Sequence, residues 1–294
     1  MKFSEFEEKE YEAPLYSQLV CMDRRLWTPG QVFEGHIGVD YGGFIIEPSI
    51  FRLHGYHSYL PGASLSRYRW PTAWLTRRSP RQFPPFQLNL FIQAKRPMWG
   101  KRPPAPVRHK GITGQFWRFK IDGGQQIALE AVAAKLRDRA LVVYASPAFH
   151  KYSELFGHSR GGTIVQSSTF PSVKMLSAHQ AWYYNQAGAV GVANPDPTPI
   201  QEPPLEARIS RLLEEGSISE SWRANIDSLA RAIRDALSEE NVSATSRIAT
   251  FFERVRQISR ETEGLEEEDA LSAYLTVVAF SEEFLVSWYV VGSM

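Results

Sequence analysis

Asp40, Gln93 and Lys95 are the residues whose types and order suit catalysis in this chain. Asp40 ends the run Gly38-Val39-Asp40, and Gln93-Ala94-Lys95 closes a stretch, 86–94, that alternates Phe86, Leu88, Leu90 and Ile92. A period of two marks a strand, and residues i and i+2 of a strand project from one face, so Gln93 and Lys95 share a face. A carboxylate on one strand can meet an oxygen donor and a lysine on its neighbour. Such a group would hold a magnesium ion and supply a cation that orients attacking water or balances charge on phosphorus. The chemistry is metal-assisted phosphodiester hydrolysis.

Several elements must position these residues. Residues 4–20 read as an amphipathic helix, with Ser4 and Glu7 at capping-box spacing, Tyr11, Leu15 and Leu19 on one stripe, and Pro14 a kink point. Thr28-Pro29-Gly30-Gln31 starts a short helix that carries Glu34 and stops at Gly35 or Gly38, where a strand entry leads to Asp40. The segment 51–85 is a Pro-, Arg- and aromatic-rich insertion, and 96–114 is a second basic loop. Residues 116–119 read as a strand, 125–137 as an amphipathic helix, and 140–145 as the continuous apolar strand of a sheet covered on both faces. This order is an α/β core. Residues 188–204 have linker composition, and beyond them 205–214, 222–238, 245–261 and 266–291 show helical periodicity. The expected organisation is a domain over 1–190 with insertions at 51–85 and 96–114, followed by an acidic, all-helical subdomain over 205–294.

Charge is unevenly spread. Residues 1–47 hold nine acids and four bases, 48–121 hold fourteen Lys and Arg and no acid, and 200–294 hold eighteen acids and nine bases. The basic block is interleaved with Trp70, Trp74, Trp99 and Trp117, as a surface for nucleic-acid phosphates and bases requires. Arg77, Arg78, Arg81, Arg96, Lys101 and Arg102 are the candidate DNA contacts, with double-stranded DNA the expected partner. One cysteine, Cys21, excludes an internal disulfide framework and a cysteine zinc site. No long apolar run and no basic leader into an apolar segment occurs, so the expectation is a cytoplasmic protein with no membrane partner. His54/His57 and His150/His158 lack carboxylate or cysteine companions at zinc spacing, and Ser159-Arg160-Gly161-Gly162-Thr163 reads as a glycine turn.

With Gly38-Val39-Asp40, Gln93-Ala94-Lys95 and the helix and strand after them on the page, the stretch from about Glu5 to His150 resembles the PD-(D/E)xK nucleases. The likeness is to their Mrr-type, Holliday-junction-resolvase-like branch with a QxK motif. The resemblance implies a restriction-endonuclease-like mixed sheet flanked by helices and a metal-dependent DNA endonuclease. Asp40 would be a metal ligand, Gln93 would place an oxygen near the metal, and Lys95 would be the catalytic lysine. The cofactor would be Mg2+, with Mn2+ able to replace it. The first-helix carboxylate would be Glu34, whose helix leads straight into the Asp40 strand, or Glu12 on the longer helix. Gln125 or Gln126 would sit near the site at a helix N-terminus. An enzyme of this kind without a recognition helix needs restraint in its own cell. The implied role is therefore a bacterial anti-phage effector held in check by a protein partner or by homo-oligomerisation through the C-terminal helices. The alternative is a catalytically inactive nuclease-fold subunit that binds nucleic acid or acts as a scaffold.

Overall fold

The computed structural model describes residues 1–22, 26–27, 86–215, 221–239, 246–264 and 268–292. The expected short helix with Glu34, the strand entry to Asp40 and the insertion 51–85 lie outside the described residues, as do Arg77, Arg78 and Arg81.

The chain is mixed α/β. In order the described elements are β1 (Lys2–Phe3), α1 (Glu8–Met22), β2 (Leu26–Trp27), β3 (Phe86–Ala94), β4 (Met98–Gly100), α2 (Ala105–Arg108), β5 (Phe116–Lys120), α3 (Gly123–Leu136) and β6 (Ala140–Pro147). There follow α4 (Tyr152–Gly161), β7 (Ser168–Thr169), β8 (Ala181–Tyr184), β9 (Val190–Asn194), β10 (Thr198–Gln201), α5 (Leu205–Glu215), α6 (Trp222–Ser238), α7 (Ser246–Thr262), α8 (Glu268–Glu283) and β11 (Ser287–Gly292). They build a five-stranded sheet, β2-β11-β3-β6-β7, and a six-stranded sheet, β1-β4-β5-β8-β9-β10.

At the centre of the five-stranded sheet β3 runs parallel to β6, with Gln93 opposite Tyr144 and Ala94 opposite Ala145. Parallel neighbours need a crossover, and β4, β5 and α3 form it. Both faces of β3 are covered. Leu88, Leu90, Ile92 and Ala94 join Tyr11, Leu15, Leu155 and Ile209 from α1, α4 and α5 in one core. Phe91 faces the other way, into a core with α3, α6, α7, α8 and the inner face of the six-stranded sheet, represented by Trp117, Phe119, Trp182 and Tyr184.

Residues 205–294 are not all helix, which corrects the sequence expectation. The helical run expected over 266–291 breaks at Phe284–Leu285, where Leu285 takes φ 52°, and the chain re-enters the sheet as β11 between β2 and β3. Trp288, Tyr289, Val290 and Val291 are buried alternately on both faces. A short apolar run covered on both sides carries no period that separates strand from helix. The expected linker 188–204 likewise contains β9 and β10. A Cβ on Gly191 would lie 2.4 Å from the Tyr183 carbonyl oxygen and 2.5 Å from the Trp182 ring, so that glycine answers close packing.

Candidate functional site

The C-terminal ends of β3 and β6 and the first turns of α1 and α3 converge on Lys95. The backbone fixes it first. Lys95 N donates to the Ala145 carbonyl at 2.8 Å, and its own carbonyl accepts from Ser146 Oγ at 2.9 Å. The Tyr184 hydroxyl bridges Ser146 Oγ and the Pro147 carbonyl at 2.9 and 2.8 Å, tying the second sheet to the same point.

The Lys95 side chain is half-buried, and Nζ donates to Gln125 Oε1 at 3.1 Å while lying 5.6 Å from the centre of the Tyr144 ring. Gln125 stands in the first turn of α3. Asp122 caps that helix, its side chain accepting from Gln125 N at 2.9 Å. Gln125 Nε2 donates in turn to the Phe284 carbonyl, just beyond α8. Burial pushes the Lys95 amine below its ordinary value; Glu8 and Asp122 pull it back up, and Arg247, near the start of α7, pushes it down.

Glu8, in the first turn of α1, is the carboxylate that feels Lys95. Its Oε2 accepts from Arg96 N at 3.2 Å. Burial raises its carboxyl above the ordinary value, and Lys95 acts in the opposite sense. Glu12, one turn further along, is ion-paired to Lys9 at 2.5 Å. Spacing does not single out Glu8, because Glu5, Glu7, Glu8, Glu10 and Glu12 crowd one stretch. Asp122 is a second residue that the sequence reading passes over, although an Asp three residues before Gln125 has N-cap spacing.

Gln93 is 1% exposed, and among the described residues its Oε1 has no hydrogen-bond partner. It lies on the same side of β3 as Phe91, the side of α3 and Gln125. An unpaired buried acceptor is costly and calls for an explanation. Gln126 is spent on the core instead: its Nε2 donates to the Val173 carbonyl at 2.9 Å, and its Oε1 accepts from the Tyr144 hydroxyl. Of the expected DNA contacts, Arg96 is ion-paired to Glu7 at 2.7 Å and donates to the Ser4 carbonyl at 2.7 Å, whereas Lys101 and Arg102 are exposed.

Asp40 and Glu34 lie outside the described residues. Among the described residues no three His, Cys, Asp or Glu gather into a metal-binding group. His150 lies against Trp99 with ring centres 4.0 Å apart and planes tilted by 30°, and His158 Nδ1 lies 2.8 Å from Thr163 Oγ1 beside the left-handed Gly162 that caps α4. Among the described residues no helix is long and apolar enough to cross a membrane.

No family model, curated protein or solved structure matches this chain. The chemistry of the site itself is the guide to what it does.

Proposed function

We propose that the protein is a metal-dependent DNA endonuclease acting in the cytoplasm, with Lys95 at its centre. The observation that carries the reading is the arrangement around that amine. Lys95 follows the C-terminal end of β3, which runs parallel to β6; it is held by Gln125 and coupled electrostatically to Glu8, and Gln93 on the same face of β3 carries an oxygen with no hydrogen-bond partner among the described residues. The crevice beyond the carboxyl ends of parallel strands is the usual ligand position in open α/β sheets.

The donor set suits a hard divalent cation. Gln93 Oε1 and the Glu8 carboxylate are oxygen donors of the kind Mg2+ selects, and Mg2+ keeps water and substrate phosphate in its remaining positions. Asp40 and Glu34 are the further ligands proposed from the sequence. When bound, the ion would lower the pKa of a coordinated water and neutralise phosphate charge. Lys95 orients the attacking water and stabilises charge on the phosphoryl oxygens. Glu8 and Asp122 favour the ammonium form that burial disfavours, and Gln125 fixes its direction. Water oxygen bonds phosphorus, the bond from phosphorus to the leaving oxygen breaks, and the proton lost by water is made good to the leaving oxygen through solvent.

The sequence carries no recognition-helix motif, and phosphate contacts carry no sequence information, so restraint of the activity falls to a partner or to self-assembly. The role that fits is a defence effector. Incubation with supercoiled DNA in Mg2+, Mn2+ or EDTA tests the reading: nicking is expected with either metal and none in EDTA. A protein that binds DNA equally in EDTA and cuts under no condition is instead a nuclease-fold scaffold.

A further inference from the structure

Seven Lys and Arg and no acid fall between residues 96 and 121. Arg96 is paired with Glu7, but Lys101, Arg102, Arg108, Lys110 and Lys120 are exposed, and among the described residues none has a carboxylate at ion-pairing distance. They lie on the connection from β4 through α2 to β5 and at the end of β5. That connection is fixed in place: Val107 and Ile112 are buried with Phe116 and Tyr183 in a small core of their own, and Pro103, Pro104 and Pro106 restrict its backbone.

This lobe packs on one face of the six-stranded sheet. Phe116, Arg118 and Lys120 alternate with Trp117 and Phe119 along β5. The Phe116 ring stacks on Tyr183 and the Arg118 guanidinium lies 5.4 Å from the Tyr183 ring centre, whereas Phe119 turns to Tyr144, 5.4 Å away between ring centres. The cations therefore belong to the sheet face turned away from Tyr144 and Gln125.

We propose that the lobe of residues 101–120 binds the phosphate backbone of duplex DNA, as a surface separate from the Lys95 end of β3. It supplies affinity and no chemistry. Choosing DNA rests on the endonuclease reading; choosing a phosphate backbone rests on the surface itself. A protein partner would need apolar or aromatic anchors, and such interfaces are poor in lysine. None of the exposed large hydrophobic residues falls within 101–120. Lysine and arginine alone suffice to displace counterions from a polyanion, and a connection already stiffened by proline loses little freedom on binding.

The test is fluorescence anisotropy of a short labelled DNA duplex in EDTA, with KCl varied from about 50 to 200 mM. Wild type is compared with Lys95→Ala and with the quadruple variant Lys101→Ala/Arg102→Ala/Arg108→Ala/Lys110→Ala, whose folding is verified by circular dichroism. Each cation that neutralises a phosphate contributes about 0.9 to the slope of log affinity against log salt, so the slope of the quadruple variant should be shallower by about 3 to 4. Its affinity at low salt should fall at least 10-fold, while Lys95→Ala, which removes a single cation, should change the slope by no more than about 1. An unchanged slope in the quadruple variant overturns the proposal, as does tighter binding of polyglutamate or single-stranded RNA than of the duplex. The two readings fail separately: cutting with an unchanged slope removes the lobe alone, and a shallower slope without any cutting removes the endonuclease alone.

Discussion

Lys95 Nζ donates to Gln125 Oε1 at 3.1 Å, joining the end of β3 to the first turn of the helix that follows it in the crossover. The same amide donates through Nε2 to the Phe284 carbonyl, so one buried glutamine sets the direction of the lysine and anchors the turn between α8 and β11.

Gln125→Ala leaves the Phe284 carbonyl without its donor and Lys95 without its acceptor. A destabilisation of about 1–3 kcal/mol follows from leaving a buried polar group unsatisfied. Urea unfolding reads it as a lower midpoint at unchanged slope.

Glu8 and Lys95 both lie on the wrong side of their ordinary values. The folded protein binds the Glu8 proton more tightly than the unfolded chain, so stability falls as pH rises from 4.5 through the raised value. The folded protein holds the Lys95 proton less tightly, so stability rises with pH from the lowered value up to 10.5. Between these windows both charges cost stability. Glu8→Gln/Lys95→Met should therefore melt above wild type at neutral pH, with the difference narrowing below 4.5 and above 10.5. Thermal melts across that range check it, and equal melting temperatures at neutral pH would contradict it.

Trp288 on β11 packs against Phe91, with ring centres 6.5 Å apart, and its Nε1 donates to Asn89 Oδ1 at 3.0 Å. Trp288→Ala removes that packing and leaves a buried amide oxygen unpaired, at a cost of about 3–5 kcal/mol. An effect under about 1 kcal/mol in urea unfolding would mean that β11 is not integral to the sheet.

Gly191 has no room for a methyl group, because a Cβ would meet the Tyr183 backbone and the Trp182 ring together. Gly191→Ala should lower stability by about 1–3 kcal/mol through overpacking, measured by thermal melts.

Legibility in the sequence follows how far each pattern depends on partners elsewhere. The strand ending at Ala94 and the strand beginning at Ala140 can be read because apolar alternation and a continuous apolar run are local. The helix of Gln125 is equally plain, and its N-cap places a polar side chain where Lys95 can reach it. The carboxylate coupled to Lys95 is not readable, since five glutamates fall between residues 5 and 12 and only the docking of α1 and the turn before it against β3 sets Glu8 apart. The strand at Ser287–Gly292 is hidden for a related reason: its neighbours, β2 and β3, come from far earlier in the chain. Asp40 and Glu34 remain proposed ligands outside the described residues.

The proposed function gives Lys95 a role in chemistry and not in the fold, and nicking of supercoiled DNA in Mg2+ by wild type and by Lys95→Ala tests it, with circular dichroism and thermal melting of both proteins. Wild type should cut. Lys95→Ala should cut at least about 100-fold more slowly, the lower end of what a positioned charge contributes to a transition state, and should keep its folded structure. Undiminished cutting by a folded Lys95→Ala would contradict the assignment.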